Sequence, residues 1–425
     1  KTIVFLTVIL SSAVCTPRLS LRTTDFKDID YVDKQLYITY PNAESVNLSE
    51  LGIENIPRGM INSTSIRSVS LAGNKLKSVE GHVFDETPNL EYLNLAGNSI
   101  SIDDFEIEHN NLKVLILDFQ NSTEITDPNL LVKELKIRLP SVEVLSWKGL
   151  NHELLLSWMK SFPSLTTAYL SDSNYIQMIN TSAIIDNAYN LRNFHLERDI
   201  IDEFVMDAPG NMEALYLDEN PLKYFWINPN YHSLKILSLS NCLLSEIPVI
   251  YSLQVLDISH NEIRSVAFDT LQHMPLLRYL NLSNNKLTTL PEVHHLNKLE
   301  TLSLSNNLIS NVTDIFMTNS LKMLNLRGND IDNIDVAEWW QLNRLEYLDL
   351  SRNRLNSLPS MWHKSMPMLK RLNLEFNNFV SLENIQIYNF IDLREVYLKN
   401  NNITYVDVNQ NILRLIPKRC TVYVV

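Results

Sequence analysis

The stretch Leu277-Arg-Tyr-Leu280-Asn-Leu282-Ser-Asn-Asn285-Lys-Leu287 decides the fold, because its spacing returns along most of the chain. Five downstream copies follow at intervals of 22 to 24 residues, beginning at Leu299, Leu321, Leu345, Leu369 and Leu393. Upstream copies begin at Ile66, Leu90, Leu112, Val142, Leu165, Leu191, Met212, Leu234 and Leu253, with a weaker one near Ala43. About sixteen copies in one register indicate a repeat architecture whose core grows along one axis.

We call each copy a frame, name it by its first residue and number its positions from 1 to 11. The alternation around positions 4 and 6 predicts a short strand whose leucines point inward. Successive strands are expected to stack as a parallel sheet with a spacing of about 4.8 Å. The asparagine at position 9 follows the strand, where its amide can satisfy backbone groups that the turn would otherwise bury unpaired.

This pattern is L-x-x-L-x-L-x-x-N-x-L, the leucine-rich repeat. Pro-x-Leu segments before several strands, as at Pro88-Asn-Leu90 and Pro367-Met-Leu369, resemble the 24-residue class of animal extracellular proteins. Toll-type receptor ectodomains, chaoptin-like proteins and secreted leucine-rich immune proteins of insects are relatives of that kind. The resemblance implies an α/β repeat solenoid. It would be a horseshoe with a parallel sheet on its concave face and irregular, turn or short helical segments on its convex face.

Lys1, the apolar run Ile3–Leu10 and the small residues that follow have the order of a secretory signal peptide. We therefore predict a signal peptide over 1–15, an N-terminal cap over 16–42, the repeats over 43–408 and a C-terminal cap or truncated tail over 409–425. A buried first strand is the alternative for residues 1–15. The chain has too few cysteines for the cysteine-rich caps of many such proteins, and it shows no heptad segment.

The composition excludes several classes of function. A net charge of −13 argues against general binding to nucleic acid or to anionic membranes. No run of eighteen apolar residues occurs, so the sequence predicts no membrane span within this chain. The phosphate-binding, zinc-protease and nucleophile-elbow motifs are missing from the sequence, so we expect no catalysis, no cofactor and no metal site.

The repeat loosens between about residues 100 and 230, where position 9 becomes Gln120, Leu150, Ser173 and Asp199. Position 5 of the frames in this stretch should face the concave surface, and it carries Tyr169, His195 and Tyr216. We predict that this stripe, flanked by Arg192 and Arg198, contacts a ligand, because Tyr and Arg often dominate binding interfaces. An ordinary solvated strand face is the alternative. Tyr347 and Tyr397 form a further pair at concave positions.

Asn-X-Ser/Thr sequons predict glycosylation in an exported chain. They occur at Asn47, Asn62, Asn121, Asn180, Asn281, Asn311 and Asn402. Asn-Leu-Ser also arises from the repeat itself, as at Asn47 and Asn281. Cys420 is a candidate for an intermolecular disulfide, with a free or partly buried thiol as the alternative, whereas Cys242 should pack as a small apolar residue.

These features favour a secreted leucine-rich-repeat binding protein whose concave face recognises a protein or a microbial surface ligand. The innate-immune setting comes from the resemblance alone. Two alternatives stay open: a cell-surface receptor or adhesion ectodomain whose anchor is missing from this sequence, and a structural protein of the extracellular matrix. Homo- or hetero-oligomers are compatible with each of them.

Overall fold

A computed structural model of the chain describes residues 44–101, 105–120, 136–149, 161–173, 178–180, 189–207, 210–230, 232–267, 269–312, 318–334, 342–403 and 414–424. They form two compact units. Unit 1 holds the described residues up to His195 except 178–180. Unit 2 holds 178–180 and the described residues from Leu196 onward. The predicted signal peptide and N-terminal cap lie outside the described residues, and the domain boundaries stay predictions.

Unit 1 contains seven parallel strands, each paired with the strand of the next frame. They are β1 Glu44–Asn47, β2 Ile66–Ser70, β3 Tyr92–Asn94, β5 Val114–Ile116, β7 Val144–Ser146, β8 Thr167–Tyr169 and β10 Asn193–His195. A second, two-stranded parallel sheet joins β4 Ile107–Glu108 to β6 Ile137–Arg138.

Unit 2 repeats this arrangement with ten parallel strands. They are β12 Ala214–Tyr216, β14 Ile236–Ser238, β15 Val255–Asp257, β16 Tyr279–Asn281, β17 Thr301–Ser303, β19 Met323–Asn325, β21 Tyr347–Asp349, β22 Arg371–Asn373, β23 Glu395–Tyr397 and β24 Thr421–Tyr423. Return segments form two more parallel sheets: β9 Met178–Asn180, β11 Glu203–Met206 and β13 Tyr224–Ile227 in one, and β18 Asn311–Val312 and β20 Asn333–Ile334 in the other. Short 3-10 helices cover Leu271–His273, Trp362–Lys364 and Leu382–Ile385.

The predicted solenoid architecture is confirmed in both units. From the Ile66 frame onward, the residues at positions 1, 4 and 6 are buried and form the core, as Leu299, Leu302 and Leu304 do in one frame of unit 2. Each frame pairs in register with the next, so Leu280 lies opposite Leu302. A single frame cannot bury these leucines alone, and the stability of each frame therefore depends on its neighbours.

The side chain at position 9 connects consecutive frames. Nδ2 of Asn307 donates to the carbonyl oxygens of Leu304 in its own frame and Leu282 in the preceding frame, each at 3.0 Å. Its Oδ1 accepts from the amide of Leu287 at 3.0 Å. Gln120 reproduces all three bonds in unit 1, with distances of 2.9 to 3.2 Å. The loosened sequence thus keeps the same bridge with a longer amide side chain.

Cys242 occupies position 9 of its frame, where the sequence predicted only a small apolar residue. Its Sγ donates to the carbonyl oxygen of Leu217 at 3.1 Å, which is the bond an asparagine would make to the preceding frame. A thiol provides no amide oxygen, and the amide of Leu222 bonds instead to the carbonyl of Asn220 at 2.9 Å. Cys242 is therefore a partial substitute for the asparagine rather than a purely apolar residue.

Frames without an amide side chain at position 9 turn differently. Three such frames have Leu51, Asp199 or Cys242 at position 9. In each of them, Oδ1 of the position 9 asparagine of the following frame accepts hydrogen bonds from the backbone amides of both position 9 and position 11. The intervening residue then has a left-handed φ: 71° at Gly52, 57° at Ile200 and 60° at Leu243. Among the described frames with asparagine at position 9, none has a positive φ at position 10.

Leu243→Gly is therefore expected to stabilise the protein. The leucine is 61% exposed and loses little packing, whereas its left-handed backbone costs about 1–2 kcal/mol that glycine avoids. Leu308 is the matched control, because it holds the same position after Asn307, is 51% exposed and has no left-handed backbone. Leu308→Gly should lower the free energy of unfolding by about 0.5–1 kcal/mol. Urea unfolding measures the free energy of unfolding of both variants. Equal losses of stability in the two variants would contradict a left-handed backbone strain at Leu243.

Candidate functional site

The candidate site is the sheet face, which we define as positions 3, 5 and 7 of the frames. Successive side chains of a strand point to opposite sides, so these positions face away from the leucine core. In unit 1 this face carries an apolar cluster: Tyr92, Val114, Ile116, Val144 and Tyr169 pack together, with Ala96 against them. Four consecutive frames thus have apolar residues on both sides of one sheet.

Tyr169 and His195 are brought together as predicted neighbours in the stripe. Their rings stack with centroids 4.2 Å apart and an angle of 17° between the planes. Nζ of Lys148 lies 5.5 Å from the centroid of the Tyr169 ring. The two residues are only 6% and 8% exposed, so a bound partner could reach the edges of the stack rather than its faces.

The other predicted contact residues differ in their surroundings. Arg192 is exposed at position 2 of its frame in unit 1, and Tyr216 is partly exposed at position 5 of its frame in unit 2. Arg198 lies at position 8, has a left-handed φ of 61° and places Nη1 3.7 Å from Oε1 of Glu219. Arg198 therefore belongs to the turn that follows a strand and not to the sheet face itself.

Tyr347 and Tyr397 lie on the sheet face of unit 2 and are partly exposed. The Tyr347 hydroxyl donates to Oδ2 of Asp349 at 3.1 Å, and the Tyr397 hydroxyl donates to Oε2 of Glu395 at 3.0 Å. Tyr397 also stacks on Tyr423, with ring centroids 4.9 Å apart. Burial raises the pKa of both hydroxyls, ahead of the neighbouring carboxylates, so these tyrosines present neutral, oriented rings.

Many polar residues of the sheet face have a structural task. Asx side chains at position 5 accept a hydrogen bond from the amide at position 7, as Asn325 does from Arg327 at 3.0 Å. Where position 5 is Ser146, Asp118 of the preceding frame accepts both the serine hydroxyl and the amide of Lys148, at 2.7 and 3.0 Å. These residues end the strands, and their polarity alone does not indicate ligand binding.

Charged residues at position 2 pair with each other between frames. Lys235 bonds Glu213 and Lys322 bonds Glu300, each at 2.6 Å, and Arg67 bonds Glu91 at 2.7 Å. Such exposed pairs contribute about 0–1 kcal/mol each. Because their charges are mutually compensated, this edge is less suited to recognising a charged ligand than the sheet face beside it.

The predicted glycosylation sites fall into different environments. Asn281 is 3% exposed, its Nδ2 donates to Oδ2 of Asp257 at 3.0 Å, and its Oδ1 accepts from the amide of Ser283 at 3.1 Å. Asn47 accepts from the amide of Ser49 in the same way. Asn402 is exposed at position 10, and Asn62 is exposed with its Nδ2 bonded to Glu86. The side chains of Asn121, Asn180 and Asn311 lie outside the described residues.

Two further kinds of site concern the remaining cysteine and the potential metal ligands of the described residues. Cys420 is partly exposed and unpaired in the described part of the chain, and burial raises its pKa to about 11, which disfavours the reactive thiolate. No group of three or more His, Cys, Asp or Glu residues suited to a metal occurs among the residues described above. Nor does any helix within those ranges have the length and apolarity needed to cross a membrane.

Comparison with known proteins agrees with the repeat geometry. The family model described as "Leucine rich repeat" matches residues 41–100, 251–309 and 297–355. These ranges of the chain are leucine-rich repeats. The matched ranges include the weak first frame near Ala43, and they leave out the loosened frames between 100 and 250.

A curated relative and two solved structures match most of the chain. Transforming growth factor beta activator LRRC33 of zebrafish is 26% identical over 374 residues, which are 84% of this chain and 48% of the relative. The chain thus spans about half of that protein. Mouse RP105, solved in complex with MD-1, matches 90% of this chain and 75% of its own at 18% identity and a TM-score of 0.65. Toll of Drosophila, solved with Spätzle, matches 83% of this chain and 46% of its own at 18% identity and 0.53. At such identity the two structures show the fold alone.

Most of the apolar cluster lies outside the stripe predicted from the sequence. That stripe is at position 5 and includes Tyr169, whereas Tyr92, Val114 and Val144 are at position 3. Reading positions 3 and 5 together across the frames from Leu90 to Leu165 would have shown apolar residues at positions expected to face solvent. That departure from alternation was the available signal.

Glycans are expected at Asn402 and not at Asn281. The Asn281 amide is buried and bonded, whereas nothing in the described structure binds the Asn402 side chain. The test is site-resolved mass spectrometry of the chain secreted by animal cells under its own residues 1–15. A glycan on Asn281 in correctly folded protein would contradict this assignment, and failure of secretion would contradict the predicted signal peptide.

Proposed function

We propose that this protein is an extracellular binding protein, secreted through residues 1–15, that recognises a protein partner with its sheet face. The main support for this proposal is an apolar cluster on the sheet face of unit 1, formed by Tyr92, Val114, Ile116, Val144 and Tyr169. Sheet faces that meet solvent usually carry polar residues in alternation, and this cluster departs from that pattern although its five members are only 3 to 8% exposed.

Two further observations support a protein rather than a small ligand. Aromatic residues recur on the sheet faces of both units, and Tyr and Arg are enriched where protein interfaces gain most of their affinity. The solved structures of RP105 and Toll are complexes with the protein partners MD-1 and Spätzle. Innate-immune recognition is the setting that the resemblance to secreted leucine-rich immune proteins adds to the proposal.

Alanine substitution of Tyr169, His195 and Tyr216 should weaken partner binding at least about tenfold, because interface aromatics often contribute 2 kcal/mol or more each. The wild-type protein and the variant are immobilised, exposed to the native extracellular fluid, and compared for the amount of each retained protein. Tyr224→Ala is the control, because Tyr224 is an exposed tyrosine of β13, away from the sheet face.

Secretion level and circular dichroism establish that the triple variant is folded, since Tyr169 belongs to the buried cluster. Retention that falls for the triple variant and not for Tyr224→Ala supports the proposal. Retention that is unchanged for the folded triple variant, or equally reduced for both, would refute a binding role of the sheet face at these residues.

A further inference from the structure

Two carboxyl groups lie close together on the sheet face of unit 2 and have no role in the proposed binding stripe. Asp218 is at position 7 of the Met212 frame, and its Oδ1 accepts from the Ser238 hydroxyl at 2.6 Å and the Ser240 amide at 2.7 Å. Asp257 is at position 5 of the Leu253 frame, two frames further on, and is buried.

The two acids are connected through Ser240, whose backbone amide bonds Asp218 and whose hydroxyl bonds Ser259. Oδ1 of Asp257 accepts from the Ser259 hydroxyl at 2.7 Å, and its Oδ2 accepts from Nδ2 of Asn281 at 3.0 Å. The hydroxyls of Ser240 and Ser259 are 3.0 Å apart. Ser240 therefore lies between the two carboxyl groups, and the serine, asparagine and backbone groups that bond these carboxyls are all neutral.

The charged side chains around Asp218 and Asp257 do not neutralise the two acids. Within the described residues, neither Asp218 nor Asp257 forms an ion pair. Glu197 of the preceding frame adds a further negative charge near Asp218. The nearby cation of that frame, Arg198, is paired with Glu219.

The remaining titratable neighbours are the buried thiol of Cys242, the buried phenol of Tyr279, and His260, which attracts the Asp257 carboxylate. Burial and, after it, repulsion by Asp257 raise the pKa of Asp218 to about 7. Burial likewise raises the pKa of Asp257, against the bonds from Ser259 and Asn281. Asp218 remains partly exposed at the sheet face, so a proton can reach it from solvent.

We propose that Asp218 and Asp257 form a proton-binding pair that makes the charge of this sheet face depend on pH. In mildly acidic surroundings the pair holds a proton and the face carries one negative charge fewer. Around and above neutral pH the proton is lost and the face is more negative. A partner that places a basic group on these frames would then bind more tightly at neutral pH and dissociate on acidification.

The direction of the stability effect follows from linkage. The folded state binds a proton with a pKa of about 7 at Asp218, while an unfolded aspartate has a pKa near 3.8. The stabilisation from this proton is fully present below the unfolded pKa and is lost as pH rises through the folded pKa. One extra proton in the folded state changes the folding equilibrium about tenfold per pH unit within this window.

The experiment measures the urea midpoint of the full chain between pH 4.5 and 7.5. Asp218→Asn keeps the oxygen that accepts from Ser238 and Ser240 but cannot titrate. This variant should lose the uptake of about one proton on folding, so the folding equilibrium should no longer change by that factor of about tenfold per pH unit. Asp118→Asn is the matched control. Asp118 accepts from Ser146 and Lys148 in the same geometry, but position 5 two frames further on is Tyr169 instead of an acid, so the wild-type slope should persist.

A second measurement keeps the proposal testable if a variant is poorly folded. In wild-type protein labelled at the aspartate carboxyl carbons, at least one carboxyl resonance should titrate above pH 5.5 and be missing in Asp218→Asn. The proposal is supported by a carboxyl resonance that titrates above pH 5.5, together with a urea midpoint whose pH dependence is flatter in Asp218→Asn and unchanged in Asp118→Asn. The proton-binding pair is refuted if every carboxyl titrates below pH 5. It is also refuted if the pH dependence of the urea midpoint persists in both variants or is lost in both. Either result leaves the proposed binding function unaffected.

Discussion

The structure depends on the hydrogen bonds that the position 9 side chain makes between two consecutive frames. Every frame turns out of its strand while buried, and an unpaired backbone amide or carbonyl there costs about 1–3 kcal/mol. One asparagine side chain satisfies two carbonyls and an amide, as Asn307 does. The leucines provide the core, but this bridge determines how each frame is positioned on the preceding one.

Because the bridge and the leucines hold the backbone, the sheet-face positions can vary without loss of the fold. Unit 1 uses this freedom for an apolar cluster around Tyr92 and Tyr169. Unit 2 instead carries hydrogen-bonded acids, at Asp218 and Asp257, and oriented tyrosines, at Tyr397 and Tyr423. The same scaffold therefore presents two chemically different surfaces, and this difference is what we expect partners to recognise.

The repeat frame predicted the fold well, because spacing alone places leucines on one side of a strand and an asparagine after it. The frame could not predict burial on the other side. Tyr169 and His195 were expected to be available for contact, yet they stack and are largely covered by their neighbours. Nor could it predict the left-handed turns at Ile200 and Leu243, since these depend on how the next asparagine shares its oxygen between two amides.

The bridge is tested most directly at Cys242, where it is incomplete. Cys242→Asn should supply the missing oxygen, raise the free energy of unfolding by about 1 kcal/mol and slow hydrogen exchange of the Leu222 amide. Cys242→Ala, which removes the remaining Sγ bond to Leu217, should do the opposite. If the asparagine variant is as destabilised as the alanine variant, with unchanged exchange at Leu222, the position 9 side chain does not hold the frames together as described.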